Sequence, residues 1–181
     1  GSLDFNFAET AIRLDEMGRP IDIQRAERRV GNKIIEEFMV LTNEVVGSHF
    51  AHLKVPILYR IHEKPSPEKE QTLRTLLHNF NHTIKGKEIH PKDLQKVLLD
   101  SAGKKEAPLL HMLILRSLSK ARYGIETEIH FGLASTHYAH FTSPIRRYAD
   151  LVVHRVLYKE IKGLPHDTSP ERADRLAKIG E

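Results

Sequence analysis

Arg146 and Arg147 stand side by side in Tyr-Ala-His-Phe-Thr-Ser-Pro-Ile-Arg-Arg-Tyr-Ala-Asp, residues 138–150, and His154 and Arg155 follow closely. A guanidinium is a planar, permanently charged fork that matches phosphate oxygens two at a time. Ser143 before Pro144 reads as a helix start, with serine at the N-cap and proline at the first helical position. That start would aim unpaired backbone N–H groups and the positive end of a helix dipole at the same place, an arrangement suited to an anion. Two arginines in a first turn are mildly unfavourable with that dipole, so they want an anionic partner. A plainer reading also fits. Arg146, Asp150 and His154 are four apart, so Arg146 and Asp150 can form an ordinary ion pair on a solvated face. The residues leave both readings open.

These side chains need elements to hold them. Ile145, Tyr148, Ala149, Val152 and Val156 share the opposite face of the expected helix 144–162, and a second helix is expected over 170–179. Residues 108–123 form a strongly apolar helix that turns polar near Arg116, where a basic residue also suits the C-terminal half of a helix dipole. Residues 28–51 carry Val30, Ile34, Phe38, Leu41 and Val45 at helical spacing, beside Glu36 and Glu37. Further helices are expected over 68–80, entered at Ser66 or Pro67, and over 91–101. Residues 3–28 read as extended. Leu3, Phe5 and Phe7 alternate, and Met17-Gly18-Arg19-Pro20 sits between two short runs as a hairpin turn. Residues 55–62 and 124–132 are also strand-like. The fold class is therefore α/β (α+β), predominantly helical with a few short strands.

At 181 residues, 40% hydrophobic and 29% charged, the chain has the length and composition of one globular domain. Its +4 charge and pI near 9.3 are compatible with a polyanionic partner without establishing one. No apolar run is long enough to cross a bilayer, and no signal peptide opens the chain. The absence of cysteine excludes disulfides and thiolate-bound zinc and fits a cytoplasmic location. Gly1-Ser2 resembles the scar of a removed expression tag.

The stretch His130–His154, "HFGLASTHYAHFTSPIRRYADLVVH", resembles the signature segment of the RNase II/RNase R family of exoribonucleases. "IRLDEMGRPIDI", "IIEEFMVLTNEVV", "VPILYRIHEKPSPEK" and "HMLILRSLSKARY" resemble successive parts of the same catalytic domain, most like that of bacterial RNase R. The resemblance runs over residues 3–179. It implies the C-terminal portion of an RNB-type catalytic domain, taken from an enzyme that hydrolyses single-stranded RNA processively from the 3′ end to nucleoside 5′-monophosphates with magnesium. It implies Arg116 as the catalytic arginine on the reacting phosphate and Arg146 and Arg147 as a phosphate-binding pair. Tyr138 and Ser143 would shape the active-site end of an RNA channel. Glu37 and Asn43 would face RNA at ribose 2′-hydroxyls, and Arg60 and His62 would line the same path.

The family's metal sits in a tight aspartate cluster. The eight aspartates here are spread out, the nearest pairs, such as Asp15 and Asp22, being seven residues apart. The magnesium ligands are therefore expected outside this chain, as are cold-shock-like and S1 RNA-binding domains, and the piece alone is expected to be inactive. The pairs His49/His52 and His137/His140 have metal-bridging spacing but no third ligand in sequence, and no metal is assigned to them. Lys64, Lys69, Lys104 and Lys105 read as solubility features. Helices 28–51 and 108–123 are expected to expose apolar faces. The rival reading is a non-catalytic RNA-binding module; a helical interaction domain with no RNA role is the third.

Overall fold

The computed structural model describes residues 2–5 and 10–180. Phe7, the third member of the first alternating run, lies outside them. The architecture is mixed α/β, mostly helical, with two small antiparallel pairs of strands.

β1 (Thr10–Leu14) and β2 (Pro20–Arg25) form the expected hairpin, in register Ile12 opposite Ile23. Its turn is closed by Asp15, whose Oδ1 accepts from the backbone N–H of Met17 and Arg19, and Gly18 takes the positive φ of +77°. Every residue of both strands is exposed.

The long helix α1 (Val30–Leu53) follows. Its stripe Val30, Ile34, Phe38, Leu41 and Val45 is exposed along its length, and Val30 is 74% exposed. The buried face is instead Asn43, Gly47 and Phe50, at spacings of four and three. Helix α1 thus docks through its C-terminal half and by a face that periodicity of apolar residues does not reveal.

β3 (Tyr59–Ile61) is buried on both sides of Arg60 and pairs with β4 (Arg122–Gly124), Arg60 opposite Tyr123. Helix α2 (Pro67–Asn79) starts as expected: the Ser66 hydroxyl accepts from the Lys69 N–H and Pro67 takes the first position. Helix α3 (Pro91–Ser101) is capped by Asp93, which accepts from the His90 N–H. Helix α4 (Ala107–Ser117) ends six residues before the expected boundary at 123, because Leu118 turns extended into a buried position and the chain continues into β4. Residues 124–132 are largely irregular rather than extended, broken by a 3-10 turn at Phe131–Leu133. Helices α5 (Tyr148–Ile161) and α6 (Pro170–Gly180) complete the chain.

Two main apolar clusters result. One joins α2, α3 and α4 through Leu73, Leu77, Leu94, Leu98, Leu110 and Ile114. The other joins the C-terminal half of α1, β3 and α5 through Phe50, Ile57, Tyr59, Ile61, Val153 and Val156. The exposed apolar faces fall where expected, on α1 and, through Leu109, Met112 and Leu115, on α4. Among the described residues no helix is long and apolar enough to cross a membrane.

Candidate nucleic-acid interface

Residues 137–147 run between α1 and α5 and are tied to both. From α1, the Asn43 Oδ1 accepts from the backbone N–H of Phe141 at 2.9 Å and of Thr142 at 3.2 Å, and its Nδ2 donates to the Tyr138 hydroxyl at 2.9 Å. One turn later comes Gly47, where a Cβ would lie 2.8 Å from the His137 carbonyl oxygen and 3.1 Å from the Ala139 nitrogen. Glycine is needed there because the segment's backbone rests directly on the helix. From α5, His154 stacks on Phe141, with ring centroids 3.9 Å apart, and its Nε2 donates to the Phe141 carbonyl at 2.8 Å.

Asp150, with no exposed surface, fixes the next residues. Its Oδ1 accepts from the Ser143 N–H at 2.7 Å and from one terminal nitrogen of Arg147 at 2.8 Å, and its Oδ2 accepts from the Arg147 Nε at 2.8 Å. This corrects two expectations. The helix does not begin at Ser143–Pro144. Residues 143–147 form a turn in which the Ser143 carbonyl accepts from the N–H of Arg146 and Arg147, and Arg147 is the N-cap residue of α5. Ser143 places its N–H on a carboxylate that lies inside the helix seven residues away, and that tertiary contact overrides the local capping signal. Asp150 pairs with Arg147 at i,i+3, not with Arg146 at i,i+4. Ile145, expected on the apolar face, is fully exposed on this turn, and Tyr148 is 54% exposed.

The two arginines therefore have different situations. Arg147 is half-buried and committed to Asp150. Arg146 is exposed, and its guanidinium has no hydrogen bond or ion pair among the described residues. It is the side chain of this segment free to take an anion.

Beneath the segment lies a layer of rings. Tyr138 is buried, with burial raising its pKa against the Asn43 hydrogen bond, which lowers it. His130 and His140 pack edge-on against it, and the Tyr123 hydroxyl and His140 Nδ1 are 2.8 Å apart. The Arg60 guanidinium lies over the Tyr123 ring at 4.8 Å, and the Arg60 N–H donates to the Tyr138 carbonyl. His62 packs on His130, and its Nδ1 accepts from the Gly132 N–H. Burial lowers the pKa of His130 to about 4, helped by neighbouring His62, and that of His140 to about 4, helped by Arg147. Burial likewise lowers that of His62. The lowered histidine pKa values favour uncharged rings, and the fixed charge set among them is the Arg60 guanidinium over Tyr123.

Of the sequence-designated residues, Asn43, Tyr138, Ser143, Arg146 and Arg147 meet on this segment, and Arg60 and His62 adjoin it through β3. Asn43 was expected to face RNA; it is only 3% exposed, and both ends of its amide are bonded inward. Glu37 lies six residues earlier on α1, about 9 Å along the axis, exposed and unpaired among the described residues. Arg116 is exposed in the last turn of α4, on the other cluster of the core, with no side-chain bond to the segment. His130 and Tyr123 are contributors that the sequence did not single out, and Asp150 and His140 serve here in roles other than the surface ion pair and the metal-spaced pair that their spacing suggested. A buried carboxylate four positions past Arg146 and three past Arg147 looks identical in sequence to a surface ion pair.

The residues present do not fit a magnesium centre. Among the described residues no three histidine, aspartate or glutamate side chains are gathered so as to hold a metal ion. His140 is engaged with Tyr123, and His49 lies 3.9 Å from Glu160, which His166 also contacts.

The segment thus presents the unpaired guanidinium of Arg146 on a turn whose backbone is held by Asn43 from one helix and Asp150 from another. The RNB domain family matches residues 1–163, and the chain belongs to that family. It is 44% identical over 164 residues to ribonuclease R of Aquifex aeolicus, a match covering 90% of this chain and 23% of that protein. The RNase R of Mycoplasma genitalium superposes over the whole chain and 28% of its own at 31% identity, with TM-score 0.83 for the complex with ribose-methylated single-stranded RNA. Yeast Ssd1, described as a pseudonuclease, superposes on 84% of this chain and 20% of its own with TM-score 0.73 and 26% identity. The chain thus spans about a quarter of the length of its ribonuclease R relatives.

Proposed function

We propose that this chain is the C-terminal portion, residues 3–179, of the RNB catalytic domain of a 3′→5′ exoribonuclease, the part that holds RNA phosphates near the reacting end. The observation that carries this reading is the free guanidinium of Arg146 on a turn whose backbone is fixed by Asn43 on one side and Asp150 on the other. Phosphoryl transfer develops charge on the non-bridging oxygens, and a preorganised cation that needs no reorientation stabilises that charge. Arg147 serves the same site by holding the turn. Arg116 supplies a second free guanidinium to the RNA path from α4, and Arg60 and His62 support that path through β3. Glu37 is an acceptor for a ribose 2′-hydroxyl, the group that separates RNA from DNA.

The substrate of this reading is single-stranded RNA, released processively as nucleoside 5′-monophosphates, in a cytoplasmic enzyme with cold-shock-like and S1 domains elsewhere in its chain. Magnesium and its ligands belong to other parts of that enzyme. A second reading, a non-catalytic RNA-binding module, has support from the likeness to the Ssd1 pseudonuclease. The test is 5′-labelled single-stranded RNA incubated with the full-length protein and with this chain, with magnesium or with chelator. Stepwise shortening by the full-length protein alone, abolished by chelator, is the expected result. RNA bound but never shortened by the full-length protein would establish the second reading.

A further inference from the structure

We infer that Asn43 is a positioning residue for the phosphate-binding turn, acting on Arg146 through the backbone of residues 141–143. The inference rests on the proposed role of Arg146. The buried Asn43 amide uses both ends: one oxygen takes two successive backbone N–H groups, and the nitrogen donates to Tyr138 three residues earlier. The next N–H, that of Ser143, is taken by Asp150. Three consecutive amides, 141, 142 and 143, are therefore fixed by two side chains from two different helices, immediately ahead of Pro144-Ile145-Arg146. Pro144 has a fixed φ, which leaves little freedom between that anchored backbone and Arg146.

The arrangement also explains why Asn43 serves better than its neighbours in chemical space. Its oxygen must accept from two backbone donors while the other end of the group donates to a tyrosine hydroxyl, and a carboxamide does both without charge. Leucine has nearly the same shape and neither function. With it, the amides of Phe141 and Thr142 lose their acceptor, and the turn is held by Asp150 and the His154–Phe141 stack alone.

The test is a double-mutant cycle in the full-length protein carrying this segment, read as single-turnover shortening of a 5′-labelled single-stranded RNA and, separately, as RNA affinity. Asn43→Leu is expected to lower the turnover rate on the order of 100-fold, the scale of an approximately 1 Å misplacement of a catalytic group. RNA affinity should stay within about threefold, since one contact among many is disturbed. Arg146→Ala is expected to lower turnover at least as much, and the double variant to be no slower than Arg146→Ala alone, because Asn43 has nothing left to position. Asn43→Asp keeps an acceptor for both amides and can accept a hydrogen bond from the Tyr138 hydroxyl on its second oxygen. It does so at the cost of a buried charge, so it should be measurably faster than Asn43→Leu without reaching wild type. That variant also guards against a leucine variant that fails to fold. Full additivity of the Asn43→Leu and Arg146→Ala losses would overturn the positioning role while leaving the role of Arg146 intact. An Arg146→Ala variant with undiminished turnover would instead overturn the phosphate reading on which it rests.

Discussion

Arg147 and Asp150 close a two-point ion pair, with Nε to Oδ2 and a terminal nitrogen to Oδ1 both at 2.8 Å, and the carboxylate has no exposed surface. This pairing divides two adjacent arginines into a structural and an available one. It also supplies the acceptor for the Ser143 N–H, so a single carboxylate fixes both ends of the turn that carries Arg146.

Removing that carboxylate should therefore be costly. Asp150→Ala leaves the half-buried Arg147 guanidinium and the Ser143 N–H without their partner, a loss of about 3 kcal/mol or more. Chemical denaturation of wild type and variant checks it; a change below about 0.5 kcal/mol, the scale of an exposed pair, would contradict the buried ion pair.

At Gly47 two effects oppose one another. Alanine gains up to about 1 kcal/mol of helix propensity over glycine. Its Cβ, however, would meet the His137 carbonyl oxygen at 2.8 Å, and backbone on both sides must move. Overpacking of this kind costs about 1–3 kcal/mol, so Gly47→Ala should destabilise. A raised melting temperature for the variant would show that the segment can shift freely.

His130 and His140 govern the acid response. Each is held neutral in the folded state with a pKa lowered to about 4, against about 6.5 when unfolded. Between those values the unfolded chain binds more protons, so stability rises with pH in that window. Their contribution is fully present above pH 6.5 and is lost as the pH falls towards 4. Melting temperature should drop on the order of 5 °C between pH 7 and pH 5 from this pair, and replacing both with glutamine should flatten that part of the profile. An unchanged slope in the double variant would place the acid sensitivity elsewhere.

Much of the secondary structure was legible because its signals are local. Ser66-Pro67 and His90-Pro91 mark the starts of α2 and α3, and Met17-Gly18-Arg19-Pro20 marks the hairpin turn. Of the designated residues, Asn43, Tyr138, Ser143, Arg146 and Arg147 do gather on one segment, whereas Arg116 and Glu37 lie apart from it, and what each gathered side chain does was not legible. Asn43 bonds to residues 95 to 99 positions away, and nothing in the α1 sequence distinguishes an inward asparagine from one facing RNA. Asp150 has the spacing of a surface partner for Arg146, and only packing against the turn makes it the buried partner of Arg147. The start of α5 was misplaced for the same reason. The Ser143-Pro144 signal is sound locally, but the Ser143 N–H has a better acceptor in Asp150.

Arg116 gives a sharper functional contrast. In the full-length protein, Arg116→Ala is expected to lower turnover more than 10-fold with RNA affinity changed less than about threefold, the pattern of an interaction made mainly in the transition state. A fall in affinity with unchanged turnover would make it a channel contact only.

The central claim is that Arg146 is the guanidinium that receives the phosphate. Its most direct test is single-turnover shortening of a 5′-labelled single-stranded RNA by the full-length protein, wild type against Arg146→Ala, with RNA affinity measured in parallel. The account predicts stepwise 3′-end shortening slowed on the order of 100-fold in the variant, with affinity nearly unchanged. Equal rates in the two proteins would contradict it, and the anion would have to be held elsewhere.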